Sequence, residues 1–270
     1  MRPDMDQNVA LERLLAPGTL RILFHPIYEI TVGRGTDVWA VEALVRGPEG
    51  SDLEQAGHLL DFARRHRAEP AIDRACVETA LTEVATLPAA PSIALNVHAS
   101  TLGHDIEFVP FLVDAATRHG VSPERVIVEV VQQVPTWYEA TYRRNMELLR
   151  SRGFRLALDD IGVGHANLRL LLDTRPHLFK IDGTIVRGCH ADYYRWALVE
   201  WAHMLATRLG SWSLAEGIED QADLAAVMAC GIRLVQGFVF CQPMPANELA
   251  HVDLIGRARL VLSDLAVEAA

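Results

Sequence analysis

Residues 21–46 read RILFHPIYEITVGRGTDVWAVEALVR: two β-rich runs, 21–30 and 37–46, with only TVGRGT between them. A parallel crossover needs about ten or more residues, so these two runs must pair as an antiparallel hairpin. Six further β-rich runs follow, at 92–97 (SIALNV), 125–131 (RVIVEVV), 155–160 (RLALDD), 177–182 (HLFKID), 211–217 (SWSLAEG) and 233–240 (RLVQGFVF). From the second run onward every gap holds a stretch that can be helical: 53–86, 101–119, 136–152, 167–174, 185–209 and 221–230. Strands alternating with helices imply parallel βαβ units, and eight of them fit a closed α/β barrel of the (β/α)8 TIM type with an antiparallel first strand. An open doubly wound sheet is the structural alternative. No linker or repeat divides the chain, so the reading is a short N-terminal extension, 1–18, and one barrel domain, 19–270.

The chain has 270 residues, half of them apolar, and a formal net charge of −10 from 35 acidic and 25 basic residues. Such a field repels long nucleic acid and anionic membrane. No window approaches the roughly 18 to 20 apolar residues of a membrane span, and residues 1–10 are polar and acidic, unlike a signal peptide. The expected location is cytoplasmic. Cys76, Cys189, Cys230 and Cys241 form neither a CxxC pair nor a zinc spacing, and no histidines stand in an HxxxH or HExxH pair.

In a barrel the active site lies at the C-terminal ends of the strands. Glu42, Asn96, Glu129, Asp159, Asp160, Lys180, Glu216 and Gln236 fall in or at the end of successive runs. Singly, each reads as a strand-end cap. Together they converge on one mouth. Carboxylates crowded there raise one another's pKa unless cations compensate them. Carboxylate and amide ligands without cysteine or histidine suit hard ions, Mg2+ or Mn2+. Adjacent Asp159 and Asp160 could serve two such ions, which together stabilise both oxygens of a phosphoryl displacement. Among carboxylates Lys180 keeps its proton, which argues against a Schiff-base lysine. Gly162, Gly164 and Asp182 mimic a dinucleotide fingerprint, but Asn167 replaces the third glycine and the aspartate pair would repel a pyrophosphate.

These motifs resemble those of the EAL domains that hydrolyse the bacterial second messenger cyclic di-GMP. The name-giving tripeptide stands at Glu42-Ala43-Leu44, followed by Arg46 and preceded by His25-Pro26-Ile27; then come ALNVHAS, VEVVQ, LALDDIGVG, FKID, AEGIE and QGFVFCQP. The resemblance runs from about Leu20 to Pro245. It implies that Glu42, Asn96, Glu129 and Asp159 hold one metal and that Asp160 shares the second. It implies that Lys180 and Glu216 order and activate water, that Gln236 supports that end of the site, and that Arg46 holds a substrate phosphate. His25 takes the place of the family's substrate-binding glutamine.

The implied reaction is metal-dependent hydrolysis of cyclic di-GMP to linear pGpG by in-line attack of an activated water. A homodimer through the loop after Asp160 and the adjacent helix, and control by a separate regulatory protein, are the implied partners. Departures lie around the ligand set. Gln132 replaces a glutamate, and the loop reads DDIGVGHAN where the family has DDFGTGYSS, with Ile161, Val163, His165, Ala166 and Asn167 as the changes. The other reading is therefore a catalytically weak or inactive cyclic di-GMP receptor that signals to a partner protein.

Overall fold

The hairpin forms as the short connection requires: β1 (Arg21–Thr31) pairs antiparallel with β2 (Gly35–Arg46), placing His25 opposite Glu42. In the computed structural model, which describes residues 11–31, 35–87, 91–131, 139–161 and 168–268 (side chains excepting 160, 161, 168, 169 and 264–268), six parallel strands follow. They are β3 (Ser92–His98), β4 (Val126–Val131), β5 (Arg155–Ile161), β6 (Leu178–Ile181), β7 (Trp212–Ala215) and β8 (Leu234–Val235). β8 returns antiparallel onto β1, Tyr28 facing Val235, and the sheet closes as an eight-stranded barrel in chain order. The fold is a (β/α)8 barrel with an antiparallel first strand.

Each strand sends one apolar side chain into the lower barrel: Ile27, Ala40, Ala94, Ile127, Ala157, Leu178, Leu214 and Leu234 form a closed buried cluster. Side chains on a strand alternate faces, so the next inward position lies two residues further toward the mouth. Those positions are His25 on the reversed β1, then Glu42, Asn96, Glu129, Asp159, Lys180, Glu216 and Gln236. Period two along eight strands thus stacks a polar ring directly on an apolar plug. Outward-facing strand residues such as Val41, Ile93, Val128 and Phe179 join the larger core under the surrounding helices.

Among the described residues the helices that cover the barrel are α1 (Ala56–Arg65), α2 (Glu69–Val84), α3 (Ala99–His104), α4 (Phe108–Arg118), α5 (Glu139–Ser151), α6 (Leu168–Thr174), α7 (Gly183–Val186), α8 (Tyr193–Arg208) and α9 (Gln221–Ala229), with α10 (Ala246–Leu249) and α11 (Leu254–Glu268) after the last strand. Three stretches expected as single helices are divided. The 53–86 stretch breaks between α1 and α2, where Arg67 takes a left-handed φ of 52° and Pro70 sits in the first turn of α2. Proline suits a helix start but not its interior. The 101–119 stretch divides into α3 and α4, and in 185–209 a new helix starts at Asp192, whose carboxylate accepts from the backbone N–H groups of Tyr194 and Arg195. Residues 11–14 are helical, and Leu14 and Leu20 are buried with Leu59, Ala63 and Ile72. None of these helices is long and apolar enough to cross a membrane.

The run 233–240 contributes only Leu234–Val235 to the sheet. The chain turns there because Gly237 lies against the backbone of Ile218: a Cβ at 237 would sit 2.0 Å from the Ile218 oxygen and 2.4 Å from its nitrogen. Backbone cannot retreat as a side-chain tip can. Gly237→Ala should cost at least about 2 kcal/mol of stability by overpacking, read as a fall of roughly 4 °C or more in the thermal midpoint. Gly57→Ala on α1, where a Cβ meets nothing within 4 Å, should leave the midpoint unchanged or slightly raised.

Candidate active site

Lys180, 1% exposed, rises from β6 into the centre of the polar ring. Its ammonium lies 2.7 Å from Glu129 Oε2, 2.7 Å from Glu216 Oε1, 3.2 Å from Glu42 Oε1 and 3.7 Å from Asp159 Oδ1. Glu42 is further held by two amides: Asn96 Nδ2 donates to its Oε1 at 3.0 Å and Gln236 Nε2 to its Oε2 at 3.0 Å. Gln236 also donates to the backbone oxygen of His25 at 3.3 Å, and the His25 ring stands 3.2 Å, through Nε2, from the carbonyl of Cys241. Seven of the residues singled out in the sequence therefore form one connected cluster, with His25 at its edge.

Arg46 lies apart at the end of β2, where it bonds the Val45 carbonyl and feels Arg21 and Glu54. The side chain of Asp160, residue Gln132 and the altered loop at 162–167 lie outside the described residues.

Burial and charge pull these groups in opposite directions. Burial alone would raise the Glu42 carboxyl, but Lys180 and the two amides hold it down to about 2. Glu129 and Glu216 go the other way: burial lifts both well above the ordinary value, against the pull of Lys180 and with the help of neighbouring carboxylates. Burial disfavours the Lys180 ammonium, yet Asp159, Glu129, Glu216 and Glu42 keep it firmly protonated. Burial also pushes the His25 imidazole down, with Glu42 opposing.

Four carboxylates around one ammonium leave a surplus of negative charge that a dry site holds only with extra protons or extra cations. The donor set is all oxygen, and Glu129 Oε1 is buried with no hydrogen-bond partner. An orphaned buried acceptor is unfavourable, and a hard divalent cation is the partner this chemistry fits. Glu42, Asn96, Glu129 and Asp159 are the residues that could hold it.

Two further polar groups were not visible in the sequence. Asp73 on α2 accepts from the His98 backbone N–H at 3.0 Å and the Thr101 hydroxyl at 2.6 Å, and faces His98 Nδ1 at 2.7 Å. This ties the end of β3, which carries Asn96, to the helix layer. The partners are 25 and 28 residues apart, so no local pattern announces them. His190, Asp220 and Asp223 bring three donor atoms within 4.8 Å of one another. Asp223, however, is bonded by the Gly188 and His190 backbone N–H groups and by the His190 ring, while Asp220 caps α9. That group is a strut between the loop after α7 and α9.

The protein is thus a closed barrel whose mouth gathers four carboxylates, two amides and a buried lysine. The chain belongs to the EAL domain family, which matches it over residues 8–243. The cyclic di-GMP phosphodiesterase RocR of Pseudomonas aeruginosa is 29% identical over 156 residues, 57% of this chain and 39% of that protein. A standalone EAL protein of Vibrio cholerae, solved with cyclic di-GMP bound, superposes with a TM-score of 0.73 at 26% identity, covering 84% of this chain and 93% of that one. BlrP1 of Klebsiella pneumoniae, solved with manganese and cyclic di-GMP, gives 0.73 at 27% identity over 86% of this chain and 58% of that one. The chain spans about 40% of the length of curated relatives that it matches over 92% of its own.

The shifted carboxylates give the metal-free protein a defined pH response. Glu129 and Glu216 have folded-state values above the ordinary 4.5, so their contribution to stability is complete below that value and is lost as pH rises through the raised ones. Glu42, at about 2, contributes fully above the ordinary value and loses its contribution only as pH falls toward 2. In chelator, the thermal midpoint should therefore decline as pH rises above the ordinary carboxylate value and through the raised ones. Glu129→Gln should flatten the decline, and a divalent cation should abolish it. A midpoint that climbs over this range in chelator would contradict the assignment.

Proposed function

We propose that this chain is a divalent-metal-dependent phosphodiesterase that hydrolyses cyclic di-GMP to linear pGpG at the barrel mouth. The observation that carries the reading is the buried Lys180 ammonium ringed by four carboxylates, with Glu129 Oε1 left open, on the positions of the family's motifs. Glu42, Asn96, Glu129 and Asp159 would hold one ion and Asp160 would share a second, Mg2+ or Mn2+. When bound, such ions polarise a phosphodiester oxygen and acidify water.

The rest falls to the chain's own groups. Glu216, whose carboxyl burial raises above the ordinary value, is the group placed to serve as general base. Lys180, paired directly with it at 2.7 Å, would orient the attacking water beside the pair. As the water oxygen bonds to phosphorus, its proton passes to Glu216, the opposite P–O bond breaks, and the departing 3′ oxygen takes a proton from solvent while Glu216 releases its own to solvent. Arg46 offers a guanidinium fork to the second phosphate. His25, held neutral by burial and fixed by Gln236 and Cys241, lines the substrate end in the place of the family's glutamine. The same reading includes a homodimer through the loop 162–167 and α6, whose Leu172 is 71% exposed. It also includes a separate regulatory protein and a cytoplasmic setting.

Incubation of the purified protein with cyclic di-GMP and Mg2+ or Mn2+, with chromatography of the products, tests this. The expected result is pGpG in either metal, none in chelator, and turnover lowered by about a hundredfold or more in Lys180→Ala. Tight binding of cyclic di-GMP with no pGpG in either metal would overturn the enzyme and establish a receptor.

A further inference from the structure

At the end of the barrel opposite the mouth, a groove of about 830 Å3 runs between the C-terminal ends of α5 and α6 and the turn after α8. Leu171, Pro176 and Leu209 form its apolar wall, and Leu209 is 56% exposed. Its charged groups are Arg143, Arg150 and Arg175 against Glu147 and Asp173. Arg143 Nε donates to Asp173 Oδ1 at 2.8 Å, so that pair closes on itself. Two arginines are left facing one carboxylate on the rim.

Those two arginines belong to a larger basic pole. Burial and then the neighbouring Arg175 disfavour the charge on Arg150. Beside them burial, Arg150 and Arg155 hold the His177 imidazole below its ordinary value. Among the described residues Arg150, Arg155 and Arg175 have no carboxylate within ion-pair distance. Arg150 is anchored by donating to the Thr174 and Arg175 carbonyls, and Arg155 stands 5.9 Å from the centre of the Trp39 ring. The Arg175 guanidinium has no partner among the described residues. Its backbone is nevertheless held at a left-handed φ of 41°, where its N–H closes α6 on the Leu171 carbonyl at 2.8 Å. Glycine takes that position without strain and commonly ends helices there. A strained arginine on the lip of a groove is an outlier of the kind found at ligand clamps.

On a chain of net charge −10, a pole of uncompensated guanidinium groups draws acidic partners to one face. The groove walls accept an aliphatic side chain, and among the described residues no aromatic ring lines them on which a base could stack. We propose that this groove docks an acidic segment of a partner protein, whose carboxylates pair with Arg150, Arg155 and Arg175 while an aliphatic side chain enters between Leu171, Pro176 and Leu209. This gives a face and a chemistry to the regulatory protein of the reading above, and it rests on that reading only in expecting such a partner.

Fluorescence anisotropy of a labelled peptide built from glutamate and leucine pairs, titrated with the whole protein without cyclic di-GMP, tests the groove without involving hydrolysis. Its failure is therefore distinct from failure of the phosphodiesterase reading. Saturable binding is expected that weakens as salt rises, is lost when lysine replaces glutamate in the peptide, and falls severalfold when serine replaces leucine. Arg175→Gly removes the guanidinium and eases the backbone, so it should weaken the peptide by about tenfold, the worth of one charged hydrogen bond, with the thermal midpoint unchanged or raised. Adding Arg155→Glu should abolish binding. The proposal is overturned by an absence of saturable binding, by equal binding of the lysine peptide, by Arg175→Gly binding as well as the parent, or by a single-stranded oligonucleotide binding more tightly than the acidic peptide. A groove covered by a second copy would show as a dimer that Arg175→Glu dissociates, with no peptide bound, and equally overturns it.

Discussion

Two residues of strand, about 6.6 Å of rise, separate the apolar plug of the barrel from its charged mouth, and the chemistry of the protein depends on that step. Eight side chains from Ile27 to Leu234 seal the interior below. The next inward position on each strand then stands on a dry floor, bounded by neighbouring strands on both sides. Glu129 is fully buried there and Lys180 nearly so. The same residues on a surface loop would be ordinary solvated charges. On this floor they shift one another's protonation and leave an acceptor open.

The cluster contributes little to stability. Buried ion pairs recover their desolvation cost only with complete partnering, and here four carboxylates share one ammonium. The imbalance is held in place by structure around it. Asn96 and Gln236 donate to the two oxygens of Glu42, and Asp73 pins the end of β3 to α2 through His98 and Thr101. On the proposed reading, these contacts preorganise the site for cations and phosphate oxygens, the condition under which electrostatic catalysis is effective.

Much of this was legible because strand period and connection length are local. Six residues between the first two runs dictated the hairpin, and the strand-end polar residues fell into one ring because period two allows nothing else. Pro70 marks the break in the first helical stretch, a local signal that a long amphipathic reading passes over. The early end of β8 was not legible: it depends on the approach of Ile218 to Gly237, a tertiary contact with no sequence pattern. The tie of His98 to Asp73 is likewise a product of packing between layers. Arg46 could be placed at the end of β2 but not at a distance from the lysine-centred cluster, since strand-end position does not say how far a long side chain reaches.

The central claim is that the mouth of this barrel is a divalent-cation site built on Glu129 and Glu42. Anomalous diffraction from crystals of the protein in Mn2+ tests it most directly. The account requires a manganese peak within about 2.0–2.6 Å of Glu129 Oε1, with Glu42, Asn96 and Asp159 completing its ligands and Lys180 displaced toward Glu216. A mouth without manganese, with the ion instead between His190, Asp220 and Asp223, would contradict it.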